Sequence, residues 1–376
     1  MKVHITLVGK QTLPVFIPTL NYAPDKVYLI CSKETEEPAK VIQEKLCQLR
    51  KDQLIVKILF FDPVNIKKIK KGIRKLCEEL SLEDNVSVNI SGGTKTWSVV
   101  FYQMFCSRKN TICFYHDQNG FLWDFKTEKA VETSTSNVSF NDLCELHNIE
   151  IESATNILEY NDEDDDCLEQ IREMYDANSY DFCNLTNTMY ETDSNYEKLD
   201  DGSSIERDSQ KRNYTIELAG YYTELQSPHL PYLLFNTGWF EYLVARFLSK
   251  WEQQKEILLN VKFKLRETGV EINEVDIVVR TEKKYLFVEC KTSAFSPSDV
   301  DKFNDVAKNY GGIATKRIFV TYKEPAKRNT EKYQKFLTVI SKCKKLKMPF
   351  FVYTDIARKP TEFFEKLDQY MAELNE

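Results

Sequence analysis

The segment NVSVNISGGTKTWSVVFYQMFCSR, residues 85–108, decides the fold of the first third of the chain. Residues 85–91 have the apolar pattern of a β-strand, and residues 94–108 place apolar side chains at helical spacing. The sequence SGGTK, residues 91–95, joins the two, and its glycines let the backbone turn sharply. The segment therefore predicts a βα unit.

The same alternation of strands and helices continues on both sides of this unit. Repeated βα units are typical of a parallel, doubly wound sheet of the Rossmann type, which binds ligands at the carboxyl ends of its strands. We therefore predict an α/β fold class with a first domain at residues 1–135. The further predicted elements are strands at 3–9, 27–32 and 53–61, helices at 37–52 and 64–81, and a hairpin of 111–116 and 121–125 that turns at Asn119-Gly120.

The glycine turn at residues 91–95 has the chemistry of an anion site. Glycines let the backbone approach a phosphate, and the N-terminus of the following helix presents free N–H groups. The P-loop pattern and the dinucleotide-binding glycine pattern are both missing, so a structural turn capped by a threonine is the alternative. Polar residues after the first two strands favour binding. The candidate ligand-binding residues are Gln11, Thr12, Ser32, Gly92, Gly93, Thr94 and Lys95.

Charge divides the 376-residue chain into three parts. Residues 1–130 carry 20 Lys and Arg against 14 Asp and Glu, residues 131–230 carry 5 against 24, and residues 231–376 carry 26 against 20. Both basic parts suit anionic ligands, whereas the acidic middle does not. We interpret residues 136–230 as an acidic, partly helical connecting region. It is predicted to contain a short helix at 142–151 and loop-like segments at 161–167 and 191–208, and its carboxylates at 162–166 lack EF-hand spacing, which favours a solvated linker over a cation site.

The last part of the chain, residues 231–376, predicts a second α/β domain. Asp276 lies in the strand EVDIVV, and Glu289 and Lys291 lie in the next strand, LFVECKT. Residues i and i+2 of a strand share a face, and the short TEKK connection brings Asp276 beside Glu289. The predicted elements are helices at 233–251, 297–312 and 330–346, strands at 260–266, 274–280, 284–293, 316–322 and 349–354, and a last helix.

Carboxylates at the ends of apolar strands are costly unless they pair or bind a metal. A Mg²⁺ or Mn²⁺ ion prefers such oxygen ligands together with water and a substrate phosphate, and it lowers the pKa of its bound water. Lys291 would stabilise the transition state or help to deprotonate the water. Glu241, on the preceding helix, completes the candidate set of Glu241, Asp276, Glu289 and Lys291. A salt bridge of Lys291 with one carboxylate is the alternative.

The order of these residues along the chain resembles the PD-(D/E)xK nuclease superfamily. A helix carries Glu241, the next strands carry Asp276, and the ExK triplet of Glu289 and Lys291 follows. That resemblance implies that the backbone carbonyl of Cys290 also reaches the metal. LVGKQTLP after the first strand and NISGGTKTWS after the fourth resemble the CARF sensor domains of CRISPR systems. Taken together, the two ends of the chain resemble the CRISPR ancillary nucleases that sense cyclic oligoadenylate. The resemblance does not extend to the acidic middle region, which contains none of these motifs.

This resemblance implies a homodimer whose two CARF domains share one symmetric ligand, usually cyclic tetra-adenylate, at the candidate ligand-binding residues. It implies a metal-dependent endonuclease of type III CRISPR antiviral defence that cuts single-stranded RNA and DNA or nicks duplex DNA. The ligand would shift the population toward a closed, active dimer. Relatives with an RNA-cutting HEPN domain are disfavoured, because no histidine of this chain follows an arginine at the required spacing.

Two other functions remain open from the sequence. The first is a ligand-independent repair or restriction nuclease that uses residues 1–130 to position DNA, and the second is a non-catalytic nucleotide-sensing module. No apolar run reaches the roughly 18 residues of a membrane span, so we expect no membrane partner. The ten scattered cysteines contain no CxxC pair and predict reduced thiols in a cytoplasmic protein.

Overall fold

The first sheet has the strand order β3-β2-β1-β4-β5-β6-β7, in which β1 to β5 are parallel and β6 and β7 run antiparallel. Its strands are β1 (Lys2–Leu7), β2 (Lys26–Cys31), β3 (Ile55–Phe60), β4 (Asn85–Asn89), β5 (Thr111–His116), β6 (Phe121–Asp124) and β7 (Ala130–Glu132). The source is a computed structural model, which describes residues 1–50, 54–117, 120–133, 138–208, 213–218, 220–265, 268–282, 284–292, 296–311, 315–325 and 330–373. Asn119 of the predicted hairpin turn lies outside these residues.

Helices cover both faces of this sheet. Side chains of the first two pack on one face and those of the next two on the other, as in a doubly wound fold. The sequence did not predict the first helix, because Pro14 and Pro18 interrupt its pattern and proline lacks the N–H that a helix interior uses. The four helices are α1 (Leu13–Tyr22), α2 (Glu36–Arg50), α3 (Ile66–Glu78) and α4 (Lys95–Phe105).

A short helix and a strand lead from this domain into the rest of the chain. The helix α5 (Phe140–Leu146) is followed by β8 (Ile149–Asn156). The predicted helix at 142–151 therefore ends early, and its last residues begin the strand. β8 pairs antiparallel with a strand of the C-terminal sheet and forms one edge of that sheet.

The acidic part of the chain is a packed unit, which we call the middle module. It contains α6 (Asp162–Ala177), α7 (Ser179–Thr192) and a four-stranded antiparallel sheet of β9 (Tyr196–Lys198), β10 (Ser204–Arg207), β11 (Asn213–Leu218) and β12 (Tyr221–Gln226). The predicted loop at 161–167 is wrong. The Asn161 side chain caps the helix, and the carboxylates that follow favour a helix N-terminus. The predicted loop at 191–208 is also wrong where β9 and β10 form.

The C-terminal domain is a mixed six-stranded sheet with flanking helices. Its strand order is β17-β16-β15-β14-β13-β8, and only β15, β16 and β17 are parallel. The strands are β13 (Glu256–Leu265), β14 (Glu271–Arg280), β15 (Tyr285–Lys291), β16 (Thr315–Thr321) and β17 (Phe350–Val352). The helices are α8 (Leu230–Leu234), α9 (Gly238–Leu248), α10 (Pro297–Gly311), α11 (Glu331–Lys345), α12 (Tyr353–Ile356) and α13 (Pro360–Ala372).

Helix α5 joins the two α/β domains. On one side, the buried Lys45 of α2 places its Nζ 2.9 Å from Asp142 Oδ1 and 2.5 Å from Glu145 Oε2 of α5. On the other side, Phe140 packs against the rings of Tyr285 and Phe287 on β15, with ring centroids 5.3 and 5.7 Å away. One continuous hydrophobic core therefore includes side chains from both domains and from α5.

All ten cysteines are free thiols. Within the described part of the chain, no helix combines the length and the apolar composition of a membrane-spanning segment.

Candidate functional site

Asp276, Glu289 and Lys291 meet where β14 and β15 lie side by side. Ile277 pairs with Val288, so the register places Asp276 opposite Glu289. The Cys290 N–H donates to Asp276 Oδ2 at 2.7 Å, and the Cys290 side chain is buried in the core. Lys291 Nζ lies 2.7 Å from Glu289 Oε1 and 3.7 Å from Asp276 Oδ2. The structure therefore brings two of the three predicted carboxylates around one ammonium group.

Glu241 reaches the same region from the first turn of α9, and it is buried. The Tyr232 hydroxyl donates a hydrogen bond to Glu241 Oε2 at 2.5 Å. The sequence predicted one continuous helix here, but the chain breaks between α8 and α9, where Asn236 and Thr237 adopt φ values of 53° and 66°. This break places Tyr232 beside Glu241. The spacing of apolar residues in the sequence gives no sign of the break.

Burial dominates the electrostatics of this cluster. Burial, and then the charge of Asp276, raises the pKa of Glu241 well above its usual range and the pKa of Glu289 to about 8. Burial also raises the pKa of Asp276, although Lys291 opposes the shift. Burial disfavours the charged form of Lys291, yet Asp276 and Glu289 keep its pKa above the ordinary value. Burial therefore disfavours the charged form of the three carboxylates more strongly than Lys291 favours it.

The donor set suits a divalent cation. Burial disfavours the ionised form of these three carboxylates, and a bound Mg²⁺ or Mn²⁺ ion would favour it. Oxygen is the ligand atom that both ions prefer. As the side chains stand, no group of three or more His, Cys, Asp or Glu residues in the described chain has a metal-binding arrangement. Lys291 lies between the acids and is the cation that they contact.

The candidate ligand-binding residues lie on loops at the carboxyl ends of β1, β2 and β4, which we call the ligand edge. These strands are neighbours, and the strand order reverses between β1 and β4, where doubly wound sheets bind ligands. The loops touch closely, because a Cβ added to Gly92 would lie 2.0 Å from the Leu7 carbonyl oxygen. Gly93 has a φ of 72°, which also favours glycine.

Side chains at the ligand edge differ in their freedom to reach a ligand. Thr94 caps α4 by accepting from the Trp97 N–H and donates to the Pro63 carbonyl at 2.8 Å. Thr12 and Ser32 are buried, and the Thr12 hydroxyl has no hydrogen-bond partner among the described residues. Gln11 and Lys95 are exposed.

Two lysines that the sequence analysis did not single out lie on the same loops. Lys10 follows β1 and Lys33 follows β2, and both are exposed like Lys95 after β4. Each of the three strand ends is therefore followed by an exposed ammonium group. An isolated lysine belongs to no sequence motif. Lys10 and Lys33 become candidate ligand-binding residues through their positions after adjacent strands of the folded sheet.

Two families match the chain. Residues 3–143 match the Card1 CARF domain, and residues 232–342 match the Card1-like endonuclease domain. No curated protein matches the chain.

Solved structures share the fold. Protein VC1899 from Vibrio cholerae has 16% identity and a TM-score of 0.73, over 100% of this chain and 99% of its own. Can2 from Sulfobacillus thermosulfidooxidans, solved with cyclic tetra-adenylate, has 15% identity and a TM-score of 0.68 over 99% of both chains. A type III CRISPR defence DNA nuclease activated by cyclic oligoadenylate has 16% identity and a TM-score of 0.53, over 87% of this chain and 46% of its own. Identities this low support the fold alone.

The predicted α/β fold and the resemblance to a CARF sensor joined to a nuclease are thus confirmed. The chain therefore joins a region that matches the Card1 CARF domain, at residues 3–143, to a region that matches the Card1-like endonuclease domain, at residues 232–342.

Proposed function

We propose that this chain is a metal-dependent nuclease of type III CRISPR antiviral defence that cyclic tetra-adenylate activates in the cytoplasm. One observation carries the proposal: a single chain holds a strand edge with closely packed glycines and exposed lysines and, in a separate domain, a buried cluster of carboxylates around a lysine. The solved complex of Can2 with cyclic tetra-adenylate supports the choice of ring size. We keep the domain boundaries 1–135, 136–230 and 231–376 as a proposal.

The ligand edge would bind the phosphates of the ring. The N–H groups at the start of α4 and the Thr94 and Lys95 side chains are donors, and the glycines before them let a phosphate approach the backbone. Gln11, Thr12 and Ser32 would complete the contacts of one protomer. A homodimer would present this set twice, which suits a ring with two-fold symmetry.

In the nuclease domain, Glu241, Asp276, Glu289 and the Cys290 carbonyl would hold Mn²⁺ or Mg²⁺. A bound ion supplies Lewis acidity and a water of lowered pKa. Lys291 then directs its ammonium group at the scissile phosphodiester and stabilises the negative charge of the transition state. The substrates we propose are single-stranded RNA, single-stranded DNA and duplex DNA, the last of which would be nicked.

Helix α5 would couple ligand binding in the CARF domain to the arrangement of the nuclease domain. Its acids bind Lys45 of α2, a helix that follows the β2 end of the ligand edge, and its Phe140 packs on β15, the strand of Glu289. Ligand binding would then favour one arrangement of the sensor and, through α5, one arrangement of the catalytic strand.

The test is cleavage of labelled single-stranded RNA, single-stranded DNA and supercoiled plasmid in Mn²⁺, with and without cyclic tetra-adenylate. We expect cleavage only with the ligand. Glu289→Ala should abolish cleavage and keep ligand binding, whereas Lys95→Ala should weaken ligand binding and ligand-dependent cleavage. Lys109→Ala is the matched control, because Lys109 is exposed at the opposite end of the same sheet.

Each alternative predicts a different result. Cleavage without ligand, unchanged by Lys95→Ala, would support a repair or restriction nuclease. Ligand binding without cleavage of any substrate would support a non-catalytic sensor. Loss of ligand binding in both Glu289→Ala and Lys95→Ala would contradict two separate sites.

A further inference from the structure

We propose that Tyr232 is a positioning residue that orients the Glu241 carboxylate for the divalent cation. The inference rests on the proposed function and deepens it, because nothing in the family match assigns a role to residue 232. The starting observation is the 2.5 Å hydrogen bond from the Tyr232 hydroxyl to Glu241 Oε2. The hydroxyl engages one carboxylate oxygen and leaves Oε1 for the ion, and partners of this kind fix the orientation of metal ligands.

The backbone around Tyr232 fixes the tyrosine ring next to Glu241. A Cβ added to Gly238, the first residue of α9, would lie 1.9 Å from the Tyr232 carbonyl oxygen. The end of α8 therefore presses directly on the start of α9. Asn236 and Thr237 between them have left-handed φ values, which non-glycine residues adopt only at an energetic cost. Strain of this kind persists where the surrounding packing fixes the turn.

Aromatic side chains pack around Tyr232. The Tyr160 ring lies 6.5 Å from the Tyr232 ring, and it stacks at 4.2 Å on Tyr242 of α9 and at 4.3 Å against His229. Tyr160 thus links Tyr232 to Tyr242 and His229 in one aromatic group. The hydroxyl position is thus set by packing as well as by its hydrogen bond.

The acidic N-terminus of α6 anchors this aromatic group. Asp164 is fully buried, and its Oδ2 lies 3.0 Å from His229 Nδ1 while its Oδ1 accepts from the His229 N–H at 3.3 Å. Asp165 accepts from the Tyr242 hydroxyl at 2.6 Å and pairs with Arg246 at 2.8 Å. The prediction of a solvated linker at 162–166 is therefore wrong for both residues. The middle module supports the segment that carries Tyr232.

The test is Mn²⁺ binding to the full-length protein, measured by titration calorimetry in the absence of nucleic acid. Tyr232→Phe removes only the hydroxyl, and we expect Mn²⁺ affinity to fall about 10- to 100-fold. Tyr370→Phe is the matched control, because it deletes another partly buried hydroxyl of the same domain, one that donates to the Arg317 carbonyl. High Mn²⁺ should restore cleavage by Tyr232→Phe, which it would not do for a misfolded variant.

A double-mutant cycle decides whether Tyr232 acts through Glu241. In a Glu241→Ala background, adding Tyr232→Phe should leave Mn²⁺ affinity unchanged. An equal loss in both backgrounds, or wild-type affinity in Tyr232→Phe alone, would overturn the inference and leave the proposed function intact. A wild-type protein that neither binds Mn²⁺ nor cleaves any substrate with ligand would instead overturn the proposed function.

Discussion

His4 lies on β1 inside the sensor domain, fully buried between the rings of Tyr22 and Phe114. Its Nδ1 is 2.7 Å from the Ser87 hydroxyl. Burial lowers the pKa of His4 to about 3, so the folded protein keeps the imidazole neutral in mild acid. The unfolded chain takes up a proton near pH 6.5.

Stability should therefore fall as the pH drops from 6.5 toward 3, because the unfolded state binds the extra proton. At about 1.4 kcal/mol per pH unit, His4 alone lowers the free energy of unfolding by about 2 kcal/mol between pH 7 and pH 5. Urea denaturation of the wild type and of His4→Gln at both pH values measures this. The variant should lose less stability on acidification, and an identical loss in both proteins would contradict the assignment.

Single residues differ in how far the sequence predicts their place. The grouping of Asp276, Glu289 and Lys291 follows from strand alternation and a short hairpin, which are local rules. Tyr232 has no comparable signal. Its contact with Glu241 depends on a helix break at two left-handed, non-glycine residues, and neighbouring apolar residues hide that break within a continuous helical pattern.

At the scale of elements, helix α2 carries two lysines that each face two carboxylates in different surroundings. Lys45 is 7% exposed and pairs with Asp142 and Glu145 of α5. Lys40 is 46% exposed and pairs with Glu36 and Glu37 of its own helix, at 3.0 Å each. Removing one partner of a buried pair leaves charge without compensation, whereas exposed pairs contribute little.

We expect Lys45→Met to lower the free energy of unfolding by about 3–5 kcal/mol, and Lys40→Met to leave it almost unchanged. Urea denaturation of the two variants side by side gives the comparison. Equal effects would mean that the contact between α2 and α5 adds no more than a surface ion pair.

Elements were predictable where one periodicity dominates. Most strands and helices of both sheets follow the alternation of apolar residues. The sequence analysis missed α1, whose prolines obscure the pattern, as well as β7 and the break between α8 and α9. β8 was missed because its pairing with β13 joins segments about a hundred residues apart, and such contacts leave no local pattern. The acidic run of α6 resembles a linker in composition, and its Asn161 cap together with its packing on α9 explains why it folds.

At the scale of the whole molecule, an exposed apolar surface borders the ligand edge. We call it the aromatic patch: Val99 and Tyr102 of α4, Tyr115 of β5, Trp123 of β6 and Phe125, all between 36% and 67% exposed. Tyr102 contacts Phe125, and Tyr115 pairs across the strands with Trp123. Contiguous apolar surface of this kind marks interaction sites, and a second copy of the chain is the partner that the homodimer proposal requires.

Val99→Glu should make the protein monomeric and weaken cyclic tetra-adenylate binding, because a charge buried in an apolar interface lacks a partner. Light scattering and ligand titration measure the two effects. Leu82→Glu is the control, since Leu82 is 78% exposed in the same domain outside the patch. A dimer that survives Val99→Glu would place the interface elsewhere.

The position of β8 has a consequence for synthesis. This edge strand leaves the ribosome about a hundred residues before its partner β13, and at roughly 5–20 residues per second it waits on the order of ten seconds for that partner. The sensor domain is complete when this interval begins and the middle module is made during it, while Asp276, Glu289 and Lys291 do not yet exist. The sensor domain and the middle module are therefore complete before the strands that carry the carboxylate cluster are made.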